Sequence, residues 1–400
     1  MLKAYKYRIY PTEEQETFLC KELGLKRLYW NLALAAKQEN HKYQLKGYKQ
    51  VFEEFRPEAN EWCKEVDSTA LASVWSELRQ AYQNFFESCN GTRKGKFVNP
   101  PKFKSKKNMK DSITYTSMAV PKFVDGKLVV TKKLGPIVGT YHRFCEGKLK
   151  HVTFSRTKTG KWFVAICVDK KDEPKCENGK YIGIDWNCDD EVFLTFSDGT
   201  KVKCPRFLKR KEKRLSKLQK QMSKKFIKGA EKQSNNYEKS KYQVAKLHEK
   251  VANQRLDWLH KLSRDLANKY ENVVVENINL QNMSENLNHG KVVSDQGFGM
   301  LRTMISYKTN LIKVNPKNTS RRCHCCGEIN EKVVLGVRKW ECPTCGVIHD
   351  RDINAAINIM MLAVSRKGTI RKSNASGEPS SSVKEESPST SLSGVRLGSR

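Results

Sequence analysis

The sequence predicts a multidomain protein that mixes α/β with α+β organisation. Three observations carry that expectation. The 400 residues exceed what one hydrophobic core usually serves. Segments that alternate apolar and polar residues are interleaved with long stretches of helical periodicity. From Arg366 onward Ser, Gly, Pro and Lys dominate without apolar periodicity, so 366–400 is expected to be a disordered tail.

In chain order, Lys3–Tyr10 reads as a strand that Pro11 stops. Thr12 and Gln15 make a candidate capping box for a helix carrying Leu19 and Leu23. The pattern stays helical to about Glu87, through Ala70–Trp75 and then Leu78, Tyr82, Phe85 and Phe86. Pro100-Pro101 breaks it, and Lys102–Lys110 is a basic loop around Phe103. Residues 112–170 turn strand-like, Lys127–Thr131 and Trp162–Ile166 most clearly. This describes a small β-barrel or sheet with helices inserted. Lys171–Lys180, with Pro174 and Gly179, reads as a linker.

Beyond it, Tyr181–Asp185 and Val192–Phe196 are strands, and Asp198-Gly199 marks a hairpin turn. Lys201–Ala230 holds thirteen Lys/Arg and one acid, Glu212, with Leu208, Leu215, Leu218 and Met222 on one helical face. Val244, Leu247, Val251, Trp258, Leu262 and Leu266 continue a stripe. Two helices packed as a hairpin over an apolar core are expected. Asn272–Glu276 is a buried-type strand, a helix follows over Gly299–Thr309, and Leu311–Asn315 is another strand. A helix opens near His349-Asp-Arg-Asp352 and continues to about Val364.

The charge narrows the partner. Seventy-five Lys+Arg against 43 Asp+Glu give a formal +32, while 38% hydrophobic residues still suffice for a core. Self-repulsion of that size is relieved by a polyanion, which makes nucleic acid the expected partner. No apolar run approaches the roughly 18 residues that span a bilayer. Met1 leads into Leu-Lys-Ala-Tyr-Lys-Tyr without a basic-then-apolar signal, so a cytoplasmic protein with no membrane partner is expected. The 13 cysteines, five of them between Cys323 and Cys345, favour a metal site over disulfides.

Two sets of residues carry chemistry. Cys323-x-x-Cys326, fifteen residues, then Cys342-x-x-Cys345 brings four thiolates to one tetrahedral point, which suits a structural Zn²⁺. Gly327 and Gly346 follow the two knuckles and allow the turn, and Cys325 falls out of register as a bystander. Asp185 and Glu276 each end an apolar strand, and Asp352 starts a helix. Three such acids gathered in a +32 protein need cations, and two Mg²⁺ about 3.5–4 Å apart serve phosphodiester hydrolysis. From local sequence, Asp350 or Asp352 serves equally as a helix N-cap, and the strand-end acids as turn residues.

Lys3-Ala-Tyr-Lys-Tyr-Arg-Ile-Tyr-Pro-Thr, Ala81-Tyr-Gln-Asn-Phe-Phe, Pro101-Lys-Phe-Lys-Ser-Lys, Gly183-Ile-Asp185, Val273-Val-Val-Glu276-Asn, Asn318-Thr-Ser, Cys323-His-Cys-Cys326-Gly and His349-Asp-Arg-Asp-Ile-Asn-Ala-Ala-Ile-Asn together resemble the TnpB family. These are transposon-encoded, RNA-guided DNA endonucleases regarded as ancestors of type V CRISPR effectors. The resemblance covers residues 1 to about 365. It implies a recognition lobe over 1–175, a wedge β-barrel with inserted helices at about 12–90. A RuvC-type nuclease domain of RNase H-like fold follows over 176–316, a zinc ribbon over 317–348, and the last nuclease helix over 349–365. It makes Asp185, Glu276 and Asp352 the catalytic Mg²⁺ ligands, choosing Asp352 over Asp350, and Cys323, Cys326, Cys342 and Cys345 the zinc ligands. After Asp185, Trp186 and Asn187 stand where the family usually has a small or aliphatic residue and then Gly.

The implied activity is cleavage of double-stranded DNA beside a short motif, directed by a guide RNA from the transposon end. Ser68 and Thr69 are expected near that motif, and Lys102, Lys104, Lys106, Lys209, Arg210 and Lys213 on phosphates. Phe103 and Trp186 are expected to fill core in preference to stacking on bases. The protein is expected to act as a monomer or homodimer in bacterial cytoplasm, on the nucleoid when DNA-bound. Competing readings are a guided DNA-binding repressor without cleavage, a compact type V CRISPR effector, and, least favoured, a strand-transfer transposase.

Overall fold

A computed structural model describes residues 2–39, 65, 67, 72–93, 95–106, 112–116, 122–143, 145–171, 174–187, 191–279, 290–334 and 336–373. The chain divides into two compact units, Met1–Pro174 with Lys211–Asn253, and Lys175–Arg210 with Gln254–Arg400.

In the first unit, β1 (Leu2–Tyr10) alternates so that Tyr5, Tyr7 and Ile9 are buried on one face. The capping box forms at the head of α1 (Glu13–Glu39). The Thr12 amide donates to Gln15 Oε1 at 3.1 Å, and the Gln15 amide to Thr12 Oγ1 at 3.3 Å. Leu19 and Leu23 are fully buried in the same core as β1. Further along α1, Leu25, Trp30 and Leu34 meet Val74 and Leu78 of α2 (Ala72–Cys89) in a second core.

Six short strands join β1: β2 (Ser112–Tyr115), β3 (Lys122–Val124), β4 (Lys127–Val129), β5 (Pro136–Thr140), β6 (Lys148–Arg156) and β7 (Trp162–Asp169). The sheet is antiparallel, with order β2-β6-β7-β1-β5-β4-β3. Among the described residues no pairing joins β2 to β3, and side chains of β1, β2, β4, β5, β6 and β7 share one core.

Lys211–Asn253 is part of this unit by its contacts. Glu249, on α4 (Asn235–Lys269), explains the attachment: it accepts from Thr159 Oγ1 at 2.8 Å and pairs with Lys161 Nζ at 3.3 Å. The helix before it, α3 (Glu212–Lys224), buries no residue, and its Leu215, Leu218 and Met222 remain half-exposed. The apolar hairpin core expected there does not form around α3. Three apolar residues offer little area, and lysine stems can shield what they offer.

In the second unit, β8 (Tyr181–Trp186), β9 (Val192–Phe196), β10 (Lys201–Lys203), β11 (Asn272–Glu276) and β12 (Asn310–Val314) form a mixed sheet of order β10-β9-β8-β11-β12. β11 runs parallel to both β8 and β12, and β9 and β10 form an antiparallel meander. The meander turns at Gly199, whose φ of +85° few other residues adopt without strain. After α5 (Gly290–Gln296), α6 (Phe298–Lys308) lays Phe298, Leu301 and Ile305 on one face of the sheet beside Leu259 and Leu266 of α4. On the other face α7 (Arg351–Ser373) packs Ile359 and Ala363 against Val274 and Val314. Burial on both faces accounts for the unbroken Val273-Val274-Val275 run.

α7 continues to Ser373, past Val364 and into the stretch expected to be disordered. Propagating an existing helix costs little, and one Gly at 368 removes only about 1 kcal/mol. Residues 374–400 lie outside the described residues. Among the described residues no helix is long and apolar enough to cross a membrane.

One glycine sets the distance between α7 and the sheet. A Cβ on Gly183, in β8, would overlap the Ala356 carbonyl oxygen and lie 2.9 Å from Met360 Cβ. Gly→Ala ordinarily stabilises by about 0.4–1 kcal/mol through the unfolded chain. Here the clash is with backbone, so overpacking at about 1–3 kcal/mol outweighs that gain. Gly183→Ala is expected to lower the urea midpoint of the second unit, and an unchanged or higher midpoint would refute the close approach.

Candidate functional site

Parallel pairing brings two acids side by side. Val275 is in register with Ile184, so the residues that follow, Glu276 and Asp185, leave neighbouring strand ends, and adjacent strands lie about 4.8 Å apart. Asp352, in the first turn of α7 and almost fully buried, is near enough for its charge to act on Asp185. Burial, and then the charges of Glu276 and Asp352, hold the Asp185 carboxyl well above the ordinary carboxylate range, while Arg351 opposes them. Burial also raises Glu276, against a hydrogen bond from Thr319 Oγ1 to Glu276 Oε1.

The two acids at the head of α7 separate in role. Asp350, at the end of β14 (Ile348–Asp350), caps the helix. Its Oδ1 accepts from the amides of Asp352 at 3.1 Å and Ile353 at 3.2 Å. Burial pushes Asp350 up, but the hydrogen bond from Lys201 Nζ, 2.8 Å from Oδ2, and the capped amides outweigh it, and the carboxyl lies below its usual range. Asp352 instead faces Asp185, and its Oδ2 accepts from Arg338 Nη1 at 3.1 Å.

The loop before the cysteine module ties these groups together. Thr319, which holds Glu276, is itself held through its carbonyl by Asn358 Nδ2 at 2.8 Å. Asn358 Nδ2 also donates to the Arg322 carbonyl at 2.7 Å, and Asn354 Nδ2 does so at 2.8 Å. Asn354 Oδ1 accepts from the His324 amide at 3.1 Å. Sequence reasoning assigned no role to Thr319, Asn354 or Asn358. The available signal was a pair of polar residues at i, i+4 where the helix pattern asks for apolar ones.

The four cysteines converge as their spacing predicts. Their sulfurs all lie within 4.8 Å of one another, with Cys323–Cys345 at 3.6 Å and Cys326–Cys342 at 3.5 Å. Sulfurs on a tetrahedral Zn²⁺ stand about 3.8 Å apart, so the set fits that ion. Gly327 and Gly346 turn at φ +84° and +70°, and their amides close back on the Cys323 and Cys342 carbonyls at 3.0 and 2.9 Å. The amide of Cys345, ahead of that of Thr344, draws the Cys342 thiol down to about 7. Cys325 is no mere bystander by position: with Cys323 and His349 it forms a second close set of potential ligand atoms.

The expected nucleic-acid contacts scatter. Ser68 and Thr69 lie outside the described residues. Lys104 is turned inward, its Nζ 3.3 Å from the Trp30 ring centroid and 3.7 Å from Glu77 Oε2, so it is a structural cation instead of an open phosphate contact. Its loop is docked by Trp30 Nε1 on the Lys102 carbonyl and by Asn31 on Lys104. Lys102, Lys106, Lys209, Arg210 and Lys213 are exposed. Phe103, expected in the core, is 56% exposed because docking uses the backbone on either side of it. Trp186 is buried against Phe298 at 5.2 Å, as expected. Asn187 is buried and accepts from Thr195 Oγ1 at 2.9 Å, so the strand end is closed without a glycine.

A family profile described as "Probable transposase" matches residues 165–287, one described as "Cas12f1-like, TNB domain" matches 298–359, and one described as "Helix-turn-helix domain" matches 1–46. The chain is 32% identical to a "Putative RNA-guided DNA endonuclease" of Streptomyces pristinaespiralis, across 98% of each chain. It is 28% identical to the "Putative RNA-guided DNA endonuclease InsQ" of Escherichia coli (strain K12), over 90% of this chain and 92% of the other. Among solved structures, the chain described as "Cryo-EM structure of the Cas12f1-sgRNA-target DNA complex" aligns with a TM-score of 0.48 at 16% identity, over 90% of this chain and 98% of that one. With a full-length relative above 30% identity, this chain belongs to the TnpB family.

Proposed function

We propose that this protein is an RNA-guided endonuclease that cuts double-stranded DNA in a single RuvC-type site. The observation that carries the reading is a buried Asp185, at the end of the interior strand β8, under the charges of Glu276 and Asp352 in a protein of charge +32. Three hard-oxygen ligands whose mutual repulsion already raises Asp185 fit divalent cations, and Mg²⁺ bound there would supply an activated water and stabilise the leaving oxygen. Asp185, which feels the charge of both other acids, would hold Mg²⁺ together with them. Thr319 fixes the rotamer of Glu276, and Asp350 fixes the helix start that aims Asp352. The four-cysteine module, read as a zinc ribbon, would fix the loop at Cys323, while Asn354 and Asn358 of α7 hold it at His324 and Thr319. Sequence would be read by base pairing of the guide RNA, with exposed Lys102, Lys106, Lys209, Arg210 and Lys213 on phosphates and the protein sensing heteroduplex shape.

One observation favours guided binding without cleavage. Arg338 pairs with Asp352 and supplies by itself part of the charge that a metal would bring. The same experiment separates the two readings. Copurified with its RNA and given matching DNA and Mg²⁺, the wild-type protein is expected to cut, and Asp185→Asn to leave the target whole. Equal survival of DNA with both proteins would exclude the enzyme.

The electrostatics add a second, independent outcome. A carboxyl whose folded-state pKa is raised contributes stability that is present at low pH and is lost as pH rises through that value, so Asp185 in the metal-free protein stabilises the fold less as the solution becomes less acidic. Asp185→Asn is therefore expected to melt above metal-free wild type and to gain less from added Mg²⁺; a lower melting point would contradict the crowding of the acids. Atomic absorption should find close to one zinc per chain, and its absence from freshly purified protein would remove the ribbon. With ~6–10 phosphate contacts, DNA affinity should fall roughly 10³–10⁵-fold between 50 and 200 mM salt. A flat response would place binding outside the basic surface.

A further inference from the structure

We propose that His349 couples the cysteine module to the placement of Asp352, by donating its Nε2–H to the Cys323 sulfur from a strand that leads directly into the cap of α7. The inference rests on the zinc reading of that module. His349 is 3% exposed, and a buried imidazole requires a hydrogen-bond partner. Its Nε2 lies 3.0 Å from Cys323 Sγ. A metal-bound thiolate only accepts, so Nε2 carries the hydrogen. Donors to ligating atoms orient those ligands and tune the metal they hold.

The ring is held on several sides. Trp340 stands 4.6 Å away and His324 4.8 Å away, and β14 pairs with β13 (Lys339–Glu341) in the register Trp340↔His349 and Lys339↔Asp350. The next residue, Asp350, accepts the Asp352 and Ile353 amides. Just before β13, Arg338 accepts the Arg351 amide on its carbonyl at 2.9 Å and donates to Asp352. A shift of His349 therefore moves both the cap that starts α7 and the arginine that meets Asp352.

Cys323, Cys325 and His349 also lie close enough to share an ion, which would make His349 a ligand instead. The coordination number argues for a donor. Cys323 already belongs to the four-sulfur set, and a tetrahedral Zn²⁺ held by four thiolates has no position left for a nitrogen.

The test uses the full chain with its bound RNA and two variants. His349→Phe keeps an aromatic ring against Trp340 and removes the donor, while His349→Gln keeps an N–H near the Nε2 position. In competition with a chromophoric zinc chelator, His349→Phe is expected to lose zinc about 10–100-fold more readily than wild type. His349→Gln is expected to recover most of that loss. Hydrogen exchange in peptides containing Asp352 and Ile353 should quicken in His349→Phe and not in His349→Gln. With Co²⁺ in place of zinc, the thiolate charge-transfer band should shift in His349→Phe alone, and wild type should show an all-sulfur spectrum.

Wild-type zinc affinity in folded His349→Phe would overturn the proposal, as would equal weakening in both variants, which marks packing alone. Unchanged exchange at Asp352 would remove the coupling, and a sulfur–nitrogen cobalt spectrum in wild type would make His349 a ligand. Wild-type protein that takes up no zinc would instead refute the ribbon reading beneath it, so the two failures are distinguishable.

Discussion

The second unit depends on how near α7 can come to β8. At Gly183 the strand has no Cβ, and the Ala356 backbone occupies that space. A glycine inside a strand costs roughly 0.5–1 kcal/mol. The approach it permits buries Ile359 and Ala363 against Val274 and Val314, and each large aliphatic side chain fully buried returns about 1.5–3 kcal/mol. Packing wins, and the geometry follows from it. With α7 seated, its first turn faces Asp185 and its asparagines reach the loop at Thr319, which in turn holds Glu276. One contact without a side chain thus positions three that carry charge.

The charges run against the character of the molecule. A chain with a net charge of +32 surrounds a buried acid raised by two others. The fold tolerates this through burial that lifts Asp185, through Arg338 on Asp352, and through the Thr319 hydroxyl on Glu276. None of these partners surrounds an acid completely. Asp352 and Glu276 each keep a partner of their own, while the chain as a whole carries a large excess of cationic side chains.

Local rules made much of this legible. The Thr12–Gln15 box, the strands around Asp185 and Glu276, the hairpin at Gly199 and the two cysteine knuckles each rest on contacts within a few residues, and each forms. What escaped depends on partners distant in sequence. Lys104 reads as one more basic side chain until Trp30 and Glu77 are found beside it. Leu215, Leu218 and Met222 show the period of a buried face, yet nothing in that period says whether a second face arrives to cover it. Asp350 and Asp352 are indistinguishable locally, and only the amides that bond to Asp350 separate a cap from a candidate ligand.

The order of the acids along the chain has a bearing on how the protein is made. β8 and β11 emerge from the ribosome well before α7, and until α7 follows, the groove at Gly183 stands open and Asp185 lacks one of its two acidic neighbours. A nascent or prematurely terminated chain that stops before residue 351 already carries β8 and β11 with Asp185 and Glu276. It lacks Asp352, so the crowding of charge around Asp185 is complete only once the head of α7 has been made.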